Sequence, residues 1–300
     1  DILDSSRLTV VADDIGSFLR TSNDRYRVIS ADEKTADEYA SNGFSYSLEY
    51  YELLRSRLDA GGLVAQWVPT TLPPSQYRMV LKTFARSFPN VQLWYFPPAF
   101  RRGPLNTILV GSNEAVPIDY ELMKRRFREE SEAFRSLARY GLTSAESVLP
   151  HFVADKKTLG PAVRDAAINS FDHPRYEFYY PWDYAYQRER HIVANQAFLL
   201  ELKRAAYPGH MAGLEKQLDD AGTFKQAQAA EFRYLMWFQE FLSGMPIEEM
   251  YRRFDQVLAL APWNDSLRAR IYAQYAHMAA TRRDPAERAR LQRRADELYE

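Results

Sequence analysis

The chain has 300 residues, with 39 Lys+Arg against 40 Asp+Glu for a net charge of −1. At roughly 150 residues per domain the length suggests two domains, and 46% hydrophobic with 26% charged residues is an ordinary globular mix. Twenty Tyr, 17 Phe and 5 Trp exclude a chain that cannot collapse; charge balance removes the footprint of a nucleic-acid binder, and zero Cys excludes disulfides and thiolate sites.

No run of about 18 apolar residues occurs, so no membrane span is expected. The start, Asp1-Ile-Leu-Asp-Ser-Ser6, is not a signal peptide. An opening on Asp that runs at once into a strand pattern gives the expectation of a chain cut from something longer. Short β-branched or apolar runs then follow one another: Leu8–Ala12, Tyr26–Ser30, Leu63–Val68, Gln92–Phe96 and Asn106–Val110. Between them the spacing predicts a helix over Leu48–Leu58, ended by Gly61-Gly62, and another over Ser75–Phe88, ended by Pro89. Strands alternating with such helices read as an α/β domain.

Beyond Pro117 no strand pattern is expected. Asp119–Arg139 reads as a charged helix stopped by Gly141, and Thr143-Ser-Ala-Glu146 has the form of a capping box. The aromatic stretch around Tyr176–Tyr186 reads equally as an interface or as a seam between domains. From His191 to Glu300 the pattern is helical, punctuated at Pro208-Gly209, Gly222, Gly244, Pro246, Pro262 and Pro285. The expected organisation is therefore an α/β half domain over 1–118, a helical connector over 119–190 and an all-helical domain over 191–300.

Asp13 and Asp14 follow the first strand pattern and Asp32 the second. Ligands of open α/β sheets bind outside the carboxyl ends of strands, so these carboxylates could receive a nucleoside or an ammonium; equally, they could cap the next helices. Leu8-Thr-Val-Val-Ala-Asp-Asp14, Tyr26-Arg-Val-Ile-Ser-Ala-Asp32, Tyr46-Ser-Leu-Glu-Tyr-Tyr51 and Leu58-Asp-Ala-Gly-Gly-Leu-Val-Ala-Gln66 occur in order, and Asn169-Ser-Phe-Asp-His-Pro-Arg-Tyr-Glu-Phe178 follows. Together, over about residues 7–182, they resemble the C-terminal half of the spermidine synthase-like (aminopropyltransferase) domain, especially bacterial members fused to membrane segments.

The resemblance implies a partial Rossmann-like (methyltransferase-type) sheet lacking its first strands. It implies that Asp14, with Asp13 beside it, contacts decarboxylated S-adenosylmethionine, that Asp32 orients and deprotonates the attacking amine, and that Tyr46, Glu49 and Gln66 wall the amine side. Several positions depart from the family pattern. Ile15 stands where the family has glycine and Arg27 where it has an acidic residue, and the glycine-rich first turn is absent. The expected function is hence a non-catalytic synthase-like interaction or scaffold subunit with no resident cofactor. The alternative is the C-terminal fragment of an active aminopropyltransferase, using the decarboxylated donor as co-substrate.

Ile247 to Pro262-Trp-Asn264 resembles the second helix and terminal proline of a tetratricopeptide (TPR) repeat, with Leu267–Ala279 as the next first helix; an irregular helical bundle is the other reading. Stacked helix pairs usually bind partners. The expected partners are protein subunits, with no nucleic acid, reached through the tail and through an exposed edge strand at Leu8–Ala12. The expected docking side chains are Tyr234, Trp237, Trp263, Tyr272 and Tyr275, with Phe232, Leu235, Phe238, Phe241 and Leu242 turned inward. The chain reads as a soluble domain that fits a membrane-peripheral assembly. The Arg-rich end, Arg282–Arg294, alternates with acids as a solvated face does, a basic patch being the sharper alternative.

Overall fold

In a computed structural model that describes residues 6, 8–32, 43–97, 106–129, 132–138, 140–178, 181–214, 217–218 and 221–299, five strands form one mixed sheet ordered β1-β2-β4-β3-β5. The strands are β1 (Tyr26–Ala31), β2 (Leu58–Pro69), β3 (Asn90–Tyr95), β4 (Asn106–Ser112) and β5 (Phe152–Asp155). β1 and β2 are parallel, and helix α2 (Leu48–Ser56) lies between them in the chain, as a parallel pair requires of its connection. β4 runs antiparallel between β2 and β3, and β5 antiparallel on β3.

Local chemistry explains most boundaries. α1 (Ile15–Thr21) starts at Asp14, and α2 starts at Ser47, whose hydroxyl accepts from the Tyr50 amide. Helix α3 (Pro74–Ser87) has proline at its first position and turns Tyr77, Val80, Leu81 and Phe84 inward, all fully buried. The expected charged helix is two helices, α4 (Tyr120–Arg128), capped by Asp119, and α5 (Glu132–Ala138). Gly141 turns the chain at φ 70° before α6 (Ala145–Val148). The capping box is present one residue later than the motif suggested, between Ser144 and Ser147.

Four expectations are corrected. Leu8–Ala12 is not a strand: residues 8–12 are exposed coil, because no neighbouring strand offers them backbone partners, and β1, with β5 at the other margin, is an edge strand among the described residues. Gly61-Gly62 does not end a helix. It forms a bulge inside β2, where Tyr26 pairs with Leu58 but Val28 with Leu63, Gly61 has φ 66°, and a Cβ on Gly62 would meet the Tyr26 carbonyl at 2.7 Å. A strand does return after Pro117, since β5 completes the sheet; four residues are too few to alternate visibly. Pro208-Gly209 interrupts nothing: α8 (Pro181–Leu214) runs through it, after α7 (Lys156–Ala162).

The tail continues with α9 (Ala221–Leu242), α10 (Ile247–Leu260), α11 (Asp265–Thr281) and α12 (Pro285–Tyr299). α9 packs on α10 and α11 on α12, with lighter contact between the two pairs. Tyr234, Trp237 and Tyr275 are buried in this core, so they are not the surface side chains expected, and Tyr272 is partly buried against it; Trp263 is exposed. The inward stripe on α9 is wider than sequence spacing suggested, because α8 and α10 both pack against that helix. The sheet's core reaches past residue 191 into α8, taking in Phe198, Leu199, Leu200 and Leu202.

Gly111 lies under α3: a Cβ there would stand 2.5 Å from Phe88 Cγ and 2.8 Å from Phe84 Cε1. Gly111→Ala is expected to cost about 1–3 kcal/mol by overpacking. Gly160→Ala, in α7 with nothing within 4 Å, is expected to be neutral or to stabilise by about 0.5–1 kcal/mol. Urea unfolding of both variants checks this, and wild-type stability in Gly111→Ala would contradict the close approach of α3 to β4.

Candidate functional site

At the carboxyl end of the parallel pair, Ala31 is in register with Gln66. Gln66 is fully buried, and its Nε2 donates to Ala31 O at 3.2 Å and to Trp67 O at 2.9 Å. Its Oε1 is buried without a hydrogen-bond partner among the described residues. Asp32, one residue past that register, is exposed.

The two quoted motifs around Tyr46 and Asn169 fold onto each other. Asn169 is fully buried, and its side chain donates to Gly43 O at 2.7 Å and accepts from the Tyr176 amide at 3.0 Å. Its own amide donates to Thr83 Oγ1, and its carbonyl accepts from the Leu48 amide. Glu177 Oε1 accepts from the Gly43 amide at 2.6 Å, and Glu49 Oε2 accepts from the Phe171 amide at 3.0 Å. Tyr46 is fully buried with its ring 4.8 Å from that of Tyr176. Each of these contacts crosses at least 86 residues of chain except those inside the 169–178 turn, so the pairing is tertiary and invisible to local propensity.

Asp14 and Asp13 sit at the start of α1, both exposed. Asp14 Oδ1 accepts from the Ser17 amide at 2.8 Å, which holds its carboxyl below the usual range, and Asp13 Oδ1 accepts from the Asp14 amide. The close approach nearby is at Gly16, where a Cβ would meet Phe44 Cζ at 2.6 Å. Phe44 in turn stacks on Phe171, with centroids 5.1 Å apart. The structure therefore links Tyr46, Glu49 and the 169–178 turn through direct contacts. Asp14 caps α1 and Asp13 accepts from the Asp14 amide, while Asp32 follows the Ala31–Gln66 register pair at the end of β1. A carboxylate that accepts one backbone N–H keeps lone pairs for an ammonium, so the chemistry available around Phe44 and Glu49 is that of holding an organic cation.

A second constellation escaped the sequence reading. Glu231 (α9) is buried and takes a two-pronged bond from Arg270 (α11), with Nη1 to Oε1 at 3.1 Å and Nη2 to Oε2 at 2.5 Å. Burial alone would raise the Glu231 carboxyl, but Arg270 and its hydrogen bonds outweigh that and hold it below its ordinary value. His151 Nδ1 lies 3.2 Å from Tyr95 O and 3.6 Å from Glu231 Oε1. Both neighbours are acceptors, so the proton of the neutral ring sits on Nδ1; burial pushes the imidazole down to about 3.

Lys203 (α8) donates to the carbonyls of Pro150 and Phe152, and burial lowers its ammonium to about 8. Gln196 donates to the Tyr95 hydroxyl, and the Arg270 guanidinium lies 4.4 Å over the Tyr234 ring. At neutral pH the cluster thus holds two cations and one carboxylate, with backbone carbonyls completing the balance. The signal for it was present: Lys203, Glu231 and Arg270 each fall on the apolar stripe of their helix, where a charge must find a partner.

Among the described residues no group of three or more His, Asp or Glu is placed to hold a metal ion, and no helix is long and apolar enough to cross a membrane. Comparison of the chain with protein-family models and with curated proteins finds no match.

Arg270→Met is expected to cost about 3–5 kcal/mol, because it leaves Glu231 charged and buried. Adding Glu231→Gln should recover much of that loss; denaturant unfolding of the four-member cycle measures it, and additive losses would count against the pairing. The histidines set a pH window. The folded values of His151 (about 3) and His210 (about 4) lie below the ordinary 6.5, both through burial. The unfolded chain therefore binds more protons below pH 6.5, and stability falls as pH drops, by about 1.4 kcal/mol per unit for each ring. Unfolding at pH 7, 6 and 5 should show this slope, and His151→Asn should remove about half of it; an unchanged slope would contradict the neutral buried imidazole.

Proposed function

We propose that the chain is a synthase-like interaction subunit: an α/β half domain of the spermidine synthase-like type, with a TPR-like tail, that acts as scaffold in a larger assembly rather than as catalyst. The observation that carries this reading is the open β1 edge. Among the described residues β1 pairs only with β2, and Val28 on it is 60% exposed, while Val10 and Val11 in the coil before α1 are 72% and 54% exposed. Apolar, unpaired edge backbone is a template for adding another strand. The partner that fits is a protein subunit presenting an extended segment to β1. The coil at Leu8–Ala12 lies before α1 and contributes apolar contact, not a strand.

The positions expected to hold the nucleoside donor support the same reading. Asp14 is occupied in capping α1, Asp13 in the turn before it, and Ile15 is exposed. The parallel β1–α2–β2 unit supports the Rossmann-like part of the proposal, and the paired packing of α9 with α10 and α11 with α12 supports the TPR-like part. Trp263, exposed at the turn between α10 and α11, is the tail side chain best placed to meet a partner.

The alternative, part of an active aminopropyltransferase with Asp32 as base and Tyr46, Glu49 and Gln66 on the amine side, has one observation in its favour. The buried Gln66 Oε1 lacks a partner beside Asp32, where an amine could donate to it.

Calorimetry with decarboxylated S-adenosylmethionine separates the two. No binding by the purified chain is expected, and saturable binding that Asp32→Asn or Gln66→Ala weakens would overturn the scaffold reading. Chemical crosslinking in the native assembly should place a partner at β1. Val28→Lys should weaken that association with little change in melting temperature, since exposed edge lysines block strand addition.

A further inference from the structure

A second surface feature lies away from the β1 edge. An open cleft of about 610 Å3 separates the first turns of α3 from the segments after α7 and around Arg175. Its walls are fastened from both sides. Lys82 Nζ donates to Arg164 O and Ala166 O, each at 2.6 Å, and Gln76 Nε2 donates to Tyr176 O at 3.2 Å. Met79 and Val163, both buried, lie at its base. A cleft held by three cross-wall hydrogen bonds keeps its shape without a ligand.

Its charges are unequal. Arg78 and Arg175 both line it, and neither guanidinium has a carboxylate partner among the described residues. The Arg78 Cζ lies over the Phe198 ring, 4.7 Å from its centroid, a cation–π contact that anchors the guanidinium at the cleft wall. Asp165 supplies one acceptor, and the ring of Phe178 stands at the rim, 79% exposed. Ser75 brings the first turn of α3 to the same wall, where helix amides add fractional positive charge.

We propose that this cleft is a binding site for a nucleoside monophosphate. Two planar guanidiniums match the oxygens of a phosphate, each able to give two parallel N–H bonds. The volume falls within the range of roughly 300–1,000 Å3 typical of organic-ligand sites, far more than a bare phosphate fills. The exposed Phe178 ring offers a stacking face for a base, and Asp165 accepts from a ribose hydroxyl. The cleft shares no residue with the β1 edge or the Asp32 end of the sheet, so the proposal stands apart from the scaffold reading.

Calorimetry of the full chain against AMP, adenosine and inorganic pyrophosphate tests it. AMP is expected to bind, with adenosine and pyrophosphate each at least about tenfold weaker. Arg78→Gln and Arg175→Gln should each weaken AMP by about tenfold or more, and added salt should weaken it too. Arg175→Gln should keep the wild-type melting temperature, because that guanidinium is exposed, so it keeps the test valid if Arg78→Gln loosens α3 against Phe198. No AMP binding up to millimolar concentration, pyrophosphate as tight as AMP, or AMP binding undiminished in Arg175→Gln would each overturn the assignment.

Discussion

A carboxylate buried among helices must be paired or neutralised, and the pairing of Glu231 with Arg270 meets that requirement for the whole molecule. The fork geometry admits one register of α9 against α11, since a shift of one turn would leave both charges unpaired in a low-dielectric interior. Two more members come from the other side: His151 from the turn before β5, and Lys203 from α8, which also packs on the sheet. Sheet and tail are thereby tied through the same group of atoms. Replacing such a pair with apolar residues often costs nothing in stability, so its contribution here is to specify which faces meet rather than to add much net free energy.

Asn169 plays the corresponding part at the opposite end of the sheet. One side chain and its own backbone fasten the loop at Gly43, the start of α2, the middle of α3 and the turn at Tyr176. These are neutral hydrogen bonds, worth about 0.5–1.5 kcal/mol each when made but costly when a buried partner is orphaned. The consequence is asymmetry. The β5 side of the sheet is closed by α8 and the ionic cluster, and the loops above α2 and α3 are locked, while β1 and the residues before α1 are left with apolar side chains in water.

Periodicity found what periodicity can find. The stripe Tyr77, Val80, Leu81, Phe84 placed α3 to within a residue at each end, and short apolar or β-branched runs located β1 to β4, although β2 begins five residues before its run and burial alternates cleanly in β3 and β4 but not in β1. It failed where burial depends on distant partners. Leu8–Ala12 has the composition of a strand but no strand to pair with; β5, at four residues, spans only two strand repeats, and three of the four are buried; and Tyr234, Trp237 and Tyr275 are inside because neighbouring helices cover a second face of α9 and α11. The order of the Tyr46 and Asn169 motifs was legible, but their mutual contact was not. Pro208 is tolerated inside α8 although proline removes a hydrogen bond there, which propensity alone would count as a break.

The open edge is the physical argument that connects this architecture to an activity. A parallel pair at a sheet margin is poorly suited to solvent, because parallel strands are stable chiefly when both faces are covered. Protective devices for such an edge are bulges, charges and proline. The bulge here lies on β2, not on the exposed side of β1, and Arg27 is the one charge that β1 carries. Val28 beside it remains uncovered. Among the described residues a buried carboxylate is sealed by a two-pronged arginine and the loops are fastened by a single asparagine, while β1 has no strand on its outer side. On the proposed scaffold reading, a second polypeptide that adds a strand there would leave the contacts already made unaltered.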